Sequence, residues 1–132
     1  MNAQQLIKYD ILCLLAKYND SIDVTEMTPE IINFLFEDDE IIEGIYENGL
    51  IDEVRNSGIE TNIPAGYSRH YESKSVAKQI RGQWVGWTYW YGGGKYSNTE
   101  SIDWIENVYL LNCTEKEEVV ITRNFEKVVD KD

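Results

Sequence analysis

The chain has 132 residues, 42% of them apolar and 27% charged, which is the size and composition of one globular domain rather than of a disordered segment. Its formal net charge of −12 makes direct binding to nucleic acid unfavourable. No apolar run is long enough to span a bilayer and nothing near Met1 resembles a signal peptide, so we expect a cytoplasmic protein without a membrane partner.

The negative charge is concentrated in the N-terminal half. Residues 1–60 hold fourteen acidic and three basic side chains, a net charge of −11, whereas residues 61–132 hold ten acidic and nine basic ones, a net charge of −1. An acidic surface of this density attracts basic protein surfaces. A solvated face that only keeps the protein soluble is the alternative interpretation.

Short helices are predicted over residues 1–58. Asn2 and Gln5 have the spacing of a capping box for a helix over residues 3–18. Threonine followed by proline at positions 28–29 indicates a second helix, because threonine caps a helix and proline suits its first turn. The acidic run 37–40 begins a third helix, which ends at Gly49, and residues 50–56 add one or two further turns.

After a linker over residues 59–66, the hydrophobic period changes to two, which predicts strands. We expect strands at Tyr71–Ile80, Gln83–Tyr91, Val108–Thr114 and Glu118–Val128, a turn at Arg81-Gly82, and a short helix at Thr99–Asn107 that the capping box Ser97–Glu100 introduces. The predicted fold class is therefore α+β. An acidic helical region, 1–58, packs with a four-stranded, mostly antiparallel sheet region, 67–129, in one compact domain.

The strand Gln83–Tyr91 is unusually aromatic, and it continues into three glycines and a lysine, WVGWTYWYGGGK. Successive side chains of a strand point to opposite faces, so Trp84 and Trp90 share one face while Trp87, Tyr89 and Tyr91 share the other. One face must cover the helices, and rings left on the other face would form a binding surface. The alternative is that a loop, or the helix with Trp104, covers that second face.

The sequence has no pattern that is typical of an enzyme. It contains one histidine, His70, and two distant cysteines, Cys13 and Cys113, which we expect to be separate buried thiols in a reducing compartment. The GGGK element lacks the spacing and the following Ser or Thr of a nucleotide-binding P-loop, so it is predicted to be a turn; an anion-binding nest with Lys95, Ser97 and Asn98 is the alternative. We therefore predict a protein without catalytic residues, metal or cofactor.

The run Gln83–Tyr109 resembles a group of small uncharacterised phage and bacterial proteins that share W-V-G-W-x-Y-W-Y-G-G-G-K-H followed by P-E-x-I-x-W-I-E. The matching residues are Trp84, Gly86, Trp87, Tyr89 to Lys95, Glu100, Ile102, Trp104, Ile105, Glu106 and Tyr109. Tyr96 stands where the pattern has His, and Thr99 where it has Pro. The resemblance covers about half of the chain and implies no named function, and the missing His weakens any metal or acid–base role for this loop.

By type alone, the chain is similar to small acidic phage proteins that disarm bacterial defences, including anti-CRISPR proteins. That resemblance implies a phage or mobile-element protein that inhibits a host nucleic-acid-handling protein with a basic surface, such as a CRISPR effector or another nuclease. We predict that acidic residues meet the basic surface and that aromatic residues anchor the contact. The predicted partner-binding residues are Glu37, Asp38, Asp39, Glu40, Glu43, Glu47, Trp87, Tyr89, Tyr91, Lys95 and Tyr96.

Two other functions stay open at this point. Basic residues lie among the rings of the sheet region, a combination that holds single-stranded nucleic acid or a small ligand by stacking. The basic residues concerned are Arg69, Lys74, Lys78, Arg81 and Lys95. Alternatively, the exposed aromatic face is buried in a homodimer.

Overall fold

The computed structural model describes residues 1–93, 98–99 and 102–129. Four α-helices come first in the chain and a four-stranded antiparallel sheet follows, so the predicted α+β class is confirmed. The helices are α1 at Ala3–Leu15, α2 at Pro29–Leu35, α3 at Asp39–Glu47 and α4 at Leu50–Arg55. The strands are β1 at Ile59–Glu60, β2 at Glu72–Ile80, β3 at Gln83–Tyr91 and β4 at Tyr109–Leu111, in the order β1-β2-β3-β4.

Local capping determines where the helices begin. Asn2 accepts a hydrogen bond from the backbone N–H of Gln5, and the Gln5 side chain accepts one from the N–H of Asn2, so the predicted capping box is present. The Thr28 hydroxyl accepts from the N–H of Ile31, with proline at the first helical position as predicted. Gly49, where the third helix was predicted to end, has a left-handed conformation, with φ 62°, between the end of α3 and the start of α4.

The central hairpin of the sheet agrees with the sequence prediction. β2 and β3 pair along their full length, from Glu72 opposite Tyr91 to Ile80 opposite Gln83. Arg81 and Gly82 both have positive φ, 52° and 79°, as a two-residue hairpin turn requires. β4 then pairs with the first part of β3, and the short strand β1 pairs with the middle of β2.

The core lies between the helices and one face of the sheet. Ile7 and Ile11 of α1 are fully buried, together with Val85 and Trp87 of β3. Trp104 lies on the same side, with its ring centroid 5.2 Å from that of Trp87. Trp104 therefore contributes to the main core and does not cover the opposite face of the sheet.

Three sequence predictions are wrong in the described residues. Residues 118–128 form no strand but lie in an irregular, exposed segment, and β1 takes the fourth place in the sheet. Within the described residues 102–107 the predicted α-helix is absent and a 3₁₀ turn forms at Ile105–Asn107; residues 97, 100 and 101 lie outside the described residues. Cys113 is exposed rather than buried, because the chain leaves the sheet after Leu111, and Cys13 is half-buried; both thiols are free.

A candidate partner-binding surface

The acidic residues predicted for partner binding lie on and just before α3. Glu37, Asp38, Asp39, Glu40, Glu43 and Glu47 are all exposed, and no basic residue occurs between positions 37 and 47. We call these six residues the acidic face. Because buried Ile41 and Ile45 hold α3 against the core, the acidic face is displayed on a helix of fixed orientation.

The charges of the acidic face are not neutralised within the described chain. Asp39, Glu43 and Glu47 recur every four residues and form a row of like charges, each neighbouring pair of which destabilises a helix by about 0.2–0.5 kcal/mol. The ion pairs among the described residues join Arg55 to Asp52 and Lys78 to Asp10, so neither involves the acidic face. The arrangement opposes folding slightly and leaves the charges available to a partner.

Asp38 has a structural role that the other five acidic residues lack. Its carboxylate is the N-cap of α3 and accepts hydrogen bonds from the backbone N–H groups of Glu40 at 2.9 Å and Ile41 at 3.5 Å. A carboxylate at this position also interacts favourably with the positive end of the helix dipole. Substituting Asp38 therefore changes helix stability as well as surface charge.

Exposed aromatic rings lie on α3 and on α2, the helix that precedes the acidic face in the chain. Phe34 of α2 is 70% exposed, and Tyr46 of α3, next to Glu47, is 69% exposed. Neither ring is among the partner-binding residues predicted from the sequence. The available signal was the crowding of apolar residues over 31–36, since a seven-residue helix has too little buried surface for all of them.

An open groove of about 570 Å³ lies beside α3. Apolar side chains from α3 and α4 form one part of its lining, and residues 102–106 form another. Lys8 also lines the groove, and its Nζ lies 5.2 Å from the centroid of the Phe36 ring. The apolar lining residues are Phe36, Ile42, Ile45, Tyr46, Ile51, Ile102, Trp104 and Ile105. An apolar groove next to uncompensated acidic residues has the composition of a protein-docking site.

Trp87, which was predicted to anchor a partner, is not available for binding. Its side chain is 0% exposed, because its face of β3 is the one that packs against the helices. Its indole Nε1–H donates a hydrogen bond to the backbone carbonyl of Arg55 at 3.2 Å. Trp87 is therefore a core residue, and the prediction of an anchor at this position is wrong.

The two predicted tyrosine anchors lie at the margin of the same face. Tyr89 is half-buried, and its hydroxyl lies 2.7 Å from the side-chain oxygen of Asn56. The Arg55 guanidinium lies 4.3 Å from the Tyr89 ring centroid, while Arg55 itself is 5% exposed. Tyr91 is 37% exposed, and the predicted Lys95 and Tyr96 lie outside the described residues.

Basic residues of the sheet region are largely engaged with other parts of the chain. Lys78 pairs with Asp10 at 2.6 Å. Arg81 donates to the backbone carbonyl of Met27 at 3.3 Å, and its guanidinium lies 5.1 Å from the Tyr9 ring centroid. The Nζ of Lys74 lies 5.4 Å from the Tyr89 ring and 5.7 Å from the Tyr91 ring. Lys74, Lys78 and Arg81 therefore each contact other groups of the chain.

Within residues 1–93, 98–99 and 102–129, no group of three or more His, Cys, Asp or Glu side chains is arranged to hold a metal ion. In the same part of the chain, none of the helices combines the length and the apolar character that crossing a bilayer requires.

Compared with known proteins, the chain matches no family model, no curated protein sequence and no solved structure. The candidate surface therefore rests on the physical features of its own residues: uncompensated charge, exposed rings and an adjacent groove.

Proposed function

We propose that the protein is a non-enzymatic binding protein whose acidic face occupies a basic surface on a nucleic-acid-handling protein. The observation that carries this proposal is the uncompensated row of exposed carboxylates on α3, with no basic residue between positions 37 and 47. Such a surface complements the potential of a groove that normally holds phosphates, and it accelerates encounter with that groove.

Charge alone gives orientation and encounter rate more than affinity, so the contact also needs apolar anchors. Phe34 of α2 and Tyr46 of α3 supply exposed rings close in sequence to the acidic face, and the groove next to α3 offers space for an apolar side chain of the partner. These two rings replace Trp87 as the aromatic anchors of the proposal.

The specific form that we propose is an inhibitor of a host defence protein of the kind that anti-CRISPR proteins block, acting in the cytoplasm of the host cell. The support is the resemblance of type, in size and acidity, together with the acidic face. In this form the inhibitor excludes nucleic acid from its partner and needs no cofactor of its own.

The alternative function, stacking of bases on the aromatic and basic side of the sheet, has less geometric support. The Tyr89 ring already lies beside Arg55 and Lys74, and Trp87 is inaccessible. A base that stacked on Tyr89 would have to displace the chain's own cations.

Affinity capture from nuclease-treated bacterial lysate tests the proposal. The test variant is Glu40→Gln/Glu43→Gln/Glu47→Gln, which removes three charges and leaves the Asp38 cap intact. The matched control is Glu26→Gln/Glu60→Gln/Glu115→Gln, which removes the same charge from exposed positions outside α3. We expect the wild type and the control to retain a nucleic-acid-binding protein that the test variant loses.

A partner that all three proteins retain equally would contradict a role for the acidic face. The capture is repeated from lysate that has not been treated with nuclease. Recovery of nucleic acid instead of protein in that experiment would favour the stacking alternative. A Phe34→Ala/Tyr46→Ala variant separates anchors from charge: it is expected to weaken capture at every salt concentration, whereas loss of carboxylates weakens it most at low salt.

A further inference from the structure

The C-terminal segment 115–129, which we call the C-terminal arm, exposes far more apolar surface than any other part of the described chain. Its six large apolar side chains are 76–94% exposed. They are Val119, Val120, Ile121, Phe125, Val128 and Val129. Isolated exposed apolar residues are ordinary, but a contiguous set of this size marks an interaction site.

The arm has the composition of a β-strand. Seven of the eleven residues in 119–129, VVITRNFEKVV, are β-branched or aromatic, and no glycine or proline interrupts them. An extended strand over residues 119–129 would place Val119, Ile121, Phe125 and Val129 on the same face. A strand requires a neighbour to satisfy its backbone N–H and C=O groups, and none of the described strands lies beside the arm.

The outer edge of β4 is not paired with another described strand, and apolar side chains line it, as they do the arm. The sheet order places β3 on one side of β4 and no described strand on the other. Leu110 is 48% exposed on the helix-facing side of this edge, and Leu111 lines a groove of about 260 Å³ on the opposite side. An added strand would therefore find apolar neighbours on both faces of the sheet.

The arm of the same chain is poorly suited to fill this edge. It would have to reverse direction directly after Leu111, yet no glycine or proline occurs anywhere after position 94. The hairpin between β2 and β3, by contrast, uses Gly82 with φ 79°. Residues 112–117, which would have to form such a turn, contain neither glycine nor proline.

A second copy of the chain meets the requirements of both the arm and the edge. Each copy offers one arm and one β4 edge, so a reciprocal exchange satisfies both copies in a closed, two-fold arrangement. The exchange joins the parts of the two copies that repel each other least, because residues 61–132, which include the arm, carry a net charge of only −1. The strongly acidic residues 1–60 of the two copies take no part in the contact. Two arms with six large apolar side chains each, at roughly 100 Å² per side chain, reach the roughly 1,200 Å² that a specific interface buries.

We propose that the protein is a dimer in which the C-terminal arm of each copy adds as an antiparallel strand to the β4 edge of the other copy. The exchange extends each sheet by one strand and buries the apolar residues of the arm. It leaves the acidic face of both copies exposed, so the dimer presents two acidic faces. The proposal does not depend on the identity of the partner of the acidic face.

Multi-angle light scattering after gel filtration tests the exchange on the full chain, with a monomer mass of 15.4 kDa as the reference. The arm variant is Ile121→Asp/Phe125→Asp, and the edge variant is Leu110→Lys, because a charged side chain opposes strand addition. The control is Tyr67→Lys, which places the same charge on an 89% exposed loop residue. We expect a dimer for the wild type and the control, and a monomer for both the arm and the edge variants.

A wild-type monomer at 100 μM would overturn the proposal. A dimer that survives Leu110→Lys while the arm variant dissociates would show that the arm pairs elsewhere, and it would overturn the assignment of the β4 edge. Assemblies larger than a dimer would overturn the closed exchange. The arm variant is expected to retain the circular dichroism spectrum of a folded chain, because its two substituted side chains lie outside the core.

Discussion

The indole Nε1–H of Trp87 donates a hydrogen bond to the backbone carbonyl of Arg55 across 3.2 Å, and this bond joins the middle of β3 to the end of α4. The same strand binds Arg55 a second time, because the guanidinium donates to the backbone carbonyl of Trp90. The helical half and the sheet are therefore connected by polar bonds as well as by the apolar core.

Removing the Trp87 indole should cost stability rather than partner binding. We expect Trp87→Phe to lower the free energy of unfolding by about 1–3 kcal/mol, since the Arg55 carbonyl loses its donor, and Trp87→Ala by about 3–5 kcal/mol. Urea unfolding followed by circular dichroism measures both. A Trp87→Ala protein with wild-type stability but no partner binding would restore Trp87 as an anchor.

Substitutions at Asp38 should separate helix capping from surface charge. Asp38→Ala removes the acceptor for the N–H groups of Glu40 and Ile41 and is expected to lower the free energy of unfolding by about 1 kcal/mol. Asp38→Asn removes the same charge but caps nearly as well, so its loss should be much smaller. Equal losses in thermal or urea unfolding would argue against the capping role.

Gly86 should not tolerate a side chain, because the Tyr109 ring covers it. A Cβ added at Gly86 would lie 2.6 Å from Cε2 of Tyr109 and 2.8 Å from Cδ1 of Leu111. We expect Gly86→Ala to lower the free energy of unfolding by about 1–3 kcal/mol. In a double-mutant cycle with Tyr109→Ala, the two losses should be less than additive; strict additivity would mean that the clash is absent.

Cys13 should resist alkylation at neutral pH. Burial raises the pKa of the Cys13 thiol above its ordinary value, since the thiolate is disfavoured in a partly apolar environment. In a Cys113→Ser protein, the alkylation rate of Cys13 should therefore reach half its maximum at a higher pH in the folded protein than in the urea-unfolded protein. A midpoint at or below that of the urea-unfolded protein would contradict this result.

The same raised pKa has a consequence for stability. A group whose pKa is higher in the folded state contributes stability that is fully present below its unfolded pKa and is lost as pH rises through its folded pKa. The wild type should therefore lose more stability than Cys13→Ala over that alkaline range. Parallel pH profiles for the two proteins would show that Cys13 makes no such contribution.

The helix starts and the central hairpin could be predicted because their causes are local. Asn2 with Gln5, Thr28 with Pro29, and Gly82 in the turn each act within a few residues of their own position. The buried face of β3 could not be predicted, since large rings occur on both of its faces and alternation alone gives no preference. What decides is the distant helical half, which covers Val85 and Trp87.

The C-terminal arm shows the other limit of local reasoning. Its residues favour a strand, but a strand forms only where a neighbouring edge accepts it, and sequence does not show which edge is available. The sequence did not predict β1, because a strand of two residues is too short to give a periodic signal. Of the candidate site, the acidic face follows directly from charge, whereas Phe34 and Tyr46 required knowledge of burial.

The most direct test of the central claim uses the captured partner in purified form with a fluorescent oligonucleotide that it binds. Fluorescence anisotropy is measured while wild type, Glu40→Gln/Glu43→Gln/Glu47→Gln, or Glu26→Gln/Glu60→Gln/Glu115→Gln is added. We predict that the wild type and the control displace the oligonucleotide, and that the test variant requires at least about tenfold more protein, a difference of about 1.4 kcal/mol. Simultaneous binding of protein and oligonucleotide, or equal displacement by all three proteins, would contradict the account.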